Sequence, residues 1–173
     1  MSRVGQQAEI VLPPALAALA TPAAYSHAVT AVELIETHIS WVILTGSFAY
    51  KIKRPVQYPF VDFRSLARRE HFCREELRLN RRFAPDVYLD VCAVVQRGAT
   101  VTMGGEGEIV EYAVRMRQFD PLQELGTLAE RDDVAVAELH DFGVRLAGLH
   151  ANMTSIMHAC ESDRTRGVLL ENA

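Results

Sequence analysis

Lysine is almost missing from this chain. Of 173 residues, 18 are basic, and only Lys51 and Lys53 are lysine; the rest are arginine. Cysteine is scarce as well: Cys73, Cys92 and Cys160 are odd in number and show no C-x-x-C spacing. That excludes a disulfide framework and a thiolate zinc site, and points to a reducing cytoplasm. Glycine and proline together are 10 + 7 = 17 residues, about 10% against an average near 12%, which excludes a collagen-like or low-complexity chain. An uninterrupted apolar run is also lacking. Residues 10–32 carry no Asp, Glu, Lys or Arg, but Pro13, Pro14 and Pro22 cut the stretch, so neither a signal peptide nor a membrane span is expected. Positive charge is in deficit, with 22 acidic groups giving a net charge of −4. Bulk electrostatics then disfavours nucleic acid and anionic membranes, and any bound anion needs a local basic cluster.

What is present is an ordinary globular composition, 49% hydrophobic and 23% charged, long enough for one sizeable core. A short helix is expected over 15–20, started by Pro14. Strands are expected over 29–35 and 38–45, with Thr37, His38 and Ser40 as loop residues between or near them. Thr45-Gly46-Ser47 predicts a tight turn into a third strand, Phe48 to Lys53, stopped by Pro55. From Arg64 to Phe83 the pattern becomes helical, with Asp62 or Ser65 as cap. Strands over 87–95, 101–103 and 109–116 follow, with glycines 104, 105 and 107 in a turn. Helices over 122–131 and 134–153 and a frayed tail from Thr154 complete the order, which reads as α+β with an antiparallel sheet.

Two periodicities bring charged residues together. With a period of two, Ala49, Lys51 and Lys53 share one face of their strand while Phe48, Tyr50 and Ile52 share the other. At 100° per residue, Glu76 falls at the centre of an apolar helical stripe of Phe72, Cys73, Leu79, Asn80 and Phe83, while Glu75 lies among Arg68, His71 and Arg82. A carboxylate on such a stripe requires a cation or donors close by. Lys51 or Lys53 can supply one; a local bridge from Glu76 to Arg69 or Asn80, and a solvated edge strand for the lysines, are the plainer readings. Arginines 64, 68, 69, 74, 78, 81 and 82 on this helix read as a solvated face rather than an RNA surface, because no aromatic platform accompanies them. His38 and His140 lack metal-ligand spacing, and Cys73 reads as a small core residue.

A lysine on a central strand and a glutamate on the next helix are the layout of the small lobe of a protein-kinase-like fold, and Ala49-Tyr50-Lys51 has the A-x-K spacing of its third strand. This selects Lys51 and predicts that its ammonium faces the Glu76 carboxylate, with Lys53 and Glu75 toward solvent. Taken together, residues 36–42, 49–56 (Ala-Tyr-Lys-Ile-Lys-Arg-Pro-Val), 61–63, 76–82 (Glu-Leu-Arg-Leu-Asn-Arg-Arg), 88–91 and 112–116 resemble the amino-terminal part of bacterial aminoglycoside-phosphotransferase-like proteins, a family often fused to a P-loop ATP-binding domain.

The resemblance runs from about residue 11 to 150. It implies a kinase-like small lobe over 1–118, with a sheet of about five strands and one long helix, and the first helices of a large lobe over 119–173. It implies a nucleotide cradle, with Lys51 on phosphate and Glu76 as its partner. Ala49 would lie beneath adenine, Thr37 to Ser40 would form the loop over the phosphates, and Met116, Arg117 and Phe119 the linker. That loop lacks G-x-G-x-x-G, so its donors would be hydroxyls and backbone N–H groups. The complete protein would use ATP with Mg2+. The H-G-D-x-H-x-x-N loop that carries the base and a metal ligand in this superfamily does not occur in the sequence. This chain is therefore expected to contain no catalytic residue and to be inactive alone, a truncated gene product or fragment. The stripe of Leu139, Phe142, Leu146 and Leu149 would meet a missing large lobe or self-associate. The alternative is a non-catalytic nucleotide- or protein-binding module on the same fold.

Overall fold

The computed structural model describes residues 12–152; the tail expected from Thr154, the predicted helix end at Met153, and Cys160 lie outside them. The chain divides into two units, Met1–Asp133 and Val134–Ala173. In the first, strands β1 (Glu33–Glu36), β2 (Ser40–Leu44) and β3 (Phe48–Lys53) run in succession. A small hairpin of β4 (Gln57–Tyr58) and β5 (Val61–Asp62) leads into helix α1 (Leu66–Asn80). Strands β6 (Tyr88–Arg97), β7 (Thr100–Met103) and β8 (Glu108–Arg117) follow, then a 3-10 turn at Pro121–Gln123 and helix α2 (Leu125–Glu130). Six strands form one sheet in the order β1-β2-β3-β8-β6-β7, with β4 and β5 paired apart. All pairings are antiparallel, so the chain is α+β with an antiparallel sheet. The described part of the second unit is helix α3 (Val136–Ala151), along which Leu139, Phe142, Leu146 and Leu149 fall on one side. Among the described residues no helix is long and apolar enough to cross a membrane.

Several elements differ from expectation for physical reasons. The first strand starts at Glu33 rather than at residue 29, and Ser40, expected in a loop, opens β2. The segment Pro14–Ala20 is a 3-10 helix, followed by another at Pro22–Ala24. A three-residue repeat eclipses positions i and i+3, which sets Leu16 and Leu19 on one side, and both are buried. The β2–β3 turn is closed by Thr45 N–H donating to Phe48 O, with Gly46 at φ +89°. Gly107 sits at φ +156°, where a Cβ would lie 2.5 Å from Gln96 O, so only glycine fits.

The two sheet faces are covered differently. On one, Leu12, Leu16, Leu19, Ala24 and Tyr25 of the amino-terminal segment pack with Trp41, Ile43, Tyr50, Ile52, Val94, Val101, Met103 and Ala113 to form the apolar core. Helix α1 lies over β8 and β6 on the other. That second face contains Lys51 and Lys53.

Candidate functional site

Strand β3 is flanked by β2 and β8, so its lysines are not on an edge, and the plain reading of a solvated edge face fails. Residues directly opposite each other in an antiparallel ladder share a face. The register therefore gives three rows on the α1 side. Glu33, Leu44, Ala49, Met116 and Tyr88 form one, with Glu33 at its exposed edge; Ile35, Val42, Lys51, Val114 and Val91 form the next; Ser40 and Lys53 form the third. Lys51 thus lies between an apolar row and a closed end where Ser40 is fully buried. The first row is open in part: Ala49 is buried, whereas Leu44, Met116 and Tyr88 are half-buried.

Helix α1 starts where Ser65 Oγ accepts from Arg68 N–H, so Ser65 rather than Asp62 is the cap. Its inward line is Arg69, Cys73, Glu76 and Asn80, rotated about 40° from the expected apolar stripe at 100° per residue. Leu79 and Phe83, assigned to that stripe, are exposed. The rotation has a cause in Arg69. It is buried with Nε donating to both oxygens of Glu111 at 2.9 and 2.8 Å and Nη1 donating to Phe63 O and Arg64 O. A fully engaged guanidinium is tolerated where a bare charge is not. A local bridge from Glu76 to Arg69 or Asn80 is also excluded, since Asn80 Nδ2 donates to the Glu76 main-chain oxygen.

Glu76 reaches β3 and meets both lysines. Lys51 Nζ donates to Oε1 at 2.8 Å and Lys53 Nζ donates to Oε2 at 2.6 Å. The expected Lys51–Glu76 contact is present, and Glu75 turns outward to pair with Arg78. The expectation that Lys53 faces solvent is wrong: its side chain is 6% exposed, against 29% for Lys51 and 13% for Glu76. Strand alternation already required this, because residues 51 and 53 share a face whatever their charge. Burial by itself pushes the Glu76 carboxyl up. Hydrogen bonds from Lys51 and Lys53 and the two charges outweigh it, and the net effect is a pKa below the ordinary value. Burial and the Glu76 charge raise the Tyr88 phenol, partly offset by Lys51. Burial likewise raises the Cys73 thiol to about 12, which makes it an inert core group.

Of the other predicted site residues, Ala49 and Met116 lie in the open row. Arg117 is paired with Phe48 on the alternate face, and its Nε donates to Asp86 O. Phe119 is exposed beyond the end of β8. Between them, the Gln118 side-chain oxygen accepts from Thr45 N–H and Gly46 N–H at 3.0 and 2.8 Å, tying the chain that leaves β8 to the β2–β3 turn. At the β1–β2 turn the Thr37 hydroxyl donates to Ser40 O and accepts from Ser40 N–H, each at 3.0 Å. The Ser40 hydroxyl is buried without a partner. The Thr37 hydroxyl is thus taken up by the Ser40 main chain, and the Ser40 hydroxyl is enclosed in the fold. Tyr88 and the Arg69–Glu111 pair were not singled out from sequence as parts of this face, and Lys53, first placed on it with Lys51, was then assigned to solvent. For Lys53 the signal was the strand period; for Arg69 it was the i, i+4, i+7 spacing with Cys73 and Glu76.

The face does not fit a metal ion. Both Glu76 oxygens are held by ammonium groups, and among the described residues no cluster of three or more His, Cys, Asp or Glu side chains is placed to bind one. The three chemical features present are a part-exposed ammonium, a carboxylate that fixes it, and an apolar row one step away.

The chain matches no family model and no solved structure. It is similar to an uncharacterized protein of Mycobacterium tuberculosis, from strains H37Rv and CDC 1551, and to an uncharacterized protein of Mycobacterium bovis. Each is 35% identical over 97 residues, covering 56% of this chain and 18% of the relative. The matched stretch thus spans less than a fifth of those curated relatives.

Proposed function

We propose that this chain is the ATP-holding small-lobe half of an aminoglycoside-phosphotransferase-like kinase. The observation that carries the reading is the 2.8 Å contact between Lys51 and Glu76, made from the central strand to the following helix with Lys51 still 29% exposed. A lysine so held presents a fixed ammonium to the α- and β-phosphates. Buried Ala49 with half-buried Leu44, Met116 and Tyr88 is an apolar platform for adenine, and it ends beside the chain leaving β8. Lys51 is the phosphate-binding group in this reading, since the Thr37 hydroxyl is engaged by the Ser40 main chain and the Ser40 hydroxyl is buried. Any Mg2+ belongs with parts of a complete kinase that this sequence does not contain.

Calorimetric titration of the purified chain with ADP and with a non-hydrolysable ATP analogue tests this. Lys51→Met is expected to weaken binding about tenfold or more while the protein stays folded. Wild-type binding no tighter than that of Lys51→Met would end the proposal. The second reading, a non-catalytic binding module, is favoured by the absence of H-G-D-x-H-x-x-N. Under both readings the chain alone shows no phosphotransfer, and ATP consumption that disappears in Lys51→Met would count against both.

A further inference from the structure

We propose that Lys53 is a positioning residue of the nucleotide site. From the closed end of the face it holds Glu76 by Oε2 and offsets the carboxylate charge, so that Lys51, still held on Oε1, offers a net positive charge to phosphate. This rests on the nucleotide reading and adds a residue and its physical task to it. Lys53 Nζ stands 2.6 Å from Oε2 and 5.0 Å from the Phe63 ring centroid. Its side chain is 6% exposed and lies opposite the fully buried Ser40, so it acts on a ligand only through Glu76 and through its charge. Lys51 is on the open side and has three N–H donors, of which Oε1 takes one at 2.8 Å. The other two remain for phosphate while the contact to Glu76 is kept.

Charge decides why a second lysine matters. A glutamate that fixes one lysine also cancels it, and such a pair meets an anion with no net charge. Two ammonium groups on one carboxylate leave one net positive charge with both contacts intact. Geometry acts in the same direction. A carboxylate held by one oxygen can still swing about its last bond, whereas Glu76 is tied at both oxygens, one of them by an enclosed lysine. The place of Oε1, and with it that of the Lys51 ammonium, is then set before a ligand arrives, which lowers the ordering cost of binding. Neighbouring ionisable groups leave this balance in place. Glu111 of β8 is paired with Arg69, Tyr88 of β6 is a neutral phenol, and Cys73 on α1 is a neutral thiol.

The test uses ADP and adenosine as probes, titrated calorimetrically into the wild type and into folded Lys53→Met. ADP binding is expected to weaken about tenfold in the variant, since one unit of charge leaves the cluster. Adenosine has no phosphate and rests on the apolar row, so its affinity should stay the same; a merely structural loss would weaken both ligands alike. The scarcity of lysine supplies a second measurement that needs no variant, because selective 15N labelling of lysine gives only two side-chain ammonium signals in the whole chain. The Lys53 ammonium should exchange with water more slowly than that of Lys51, both without ADP and with it. The proposal is overturned if Lys53→Met loses adenosine as it loses ADP, or if Lys53 exchanges as fast as Lys51. ADP binding that depends on Lys51 but not on Lys53 defeats this inference alone. Wild-type ADP binding no tighter than that of Lys51→Met defeats the nucleotide reading and this inference with it.

Discussion

Arg69 shows how a charge comes to be inside a small sheet protein. Its guanidinium meets both Glu111 oxygens and two main-chain carbonyls, and each half of the pair is the opposite charge of the other. Removing one partner leaves an uncompensated buried charge. Arg69→Met is therefore expected to lower the unfolding free energy by about 3–5 kcal/mol in a urea titration, and Arg69→Met with Glu111→Leu to recover most of the loss. Glu76 gives stability a dependence on pH. Its folded pKa lies below the ordinary 4.5, so its contribution to stability is complete above that value and is lost as pH falls through the lower folded value. The urea midpoint of Glu76→Gln should fall short of the wild type at pH 7, and the gap should narrow as acidification passes below pH 4.5. A gap that widened on acidification would contradict the assigned ion pairs.

At the scale of elements, α1 combines an ordinary start with an uncommon interior. Its amino terminus is set by Ser65, and Ser65→Ala should cost about 1 kcal/mol by loss of one capping bond, measurable as a lower denaturant midpoint with unchanged slope. Its inward line is mostly polar. This explains what was legible in the sequence and what was not. The bounds of β3 and the meeting of Lys51 with Glu76 followed from two periods, because alternation and the helical wheel act whatever the neighbours are. The same alternation already set the orientation of Lys53, and sending it to solvent overrode that period, whereas the rotation of α1 did not follow because it depends on Glu111, a partner supplied by a distant strand. Arg69 was read as part of a solvated face because its buried partner, Glu111, lies 42 residues further along the chain. The hairpin of β4 and β5 has two-residue strands, too short for any alternation to register, and the 3-10 form of Pro14–Ala20 reflects packing of Leu16 and Leu19 rather than helix propensity.

Across the sheet unit, the apolar core and the Lys51–Glu76–Lys53 cluster of the proposed nucleotide site lie on opposite faces. The core under Leu19, Tyr50 and Ile43 is separated by the thickness of the sheet from Lys51 and Glu76. Leu19→Ala, at a fully buried position, should cost about 2–5 kcal/mol yet leave nucleotide affinity unchanged in protein that remains folded. Loss of affinity in proportion to stability would show that the faces are coupled. One joint does link strand ends that are distant in sequence. Because Gln118 holds Thr45 and Gly46 by their main-chain N–H groups, the chain leaving β8 and the β2–β3 turn form a single pivot. Torque applied to the polypeptide beyond Gln118 is then felt 72 residues earlier, at a glycine whose φ of +89° admits little else. Gln118→Ala would uncouple the two, and faster deuterium uptake at the Gly46 amide would be its signature. Through those two hydrogen bonds, any displacement of the chain that follows β8 is expected to be shared with the β2–β3 turn.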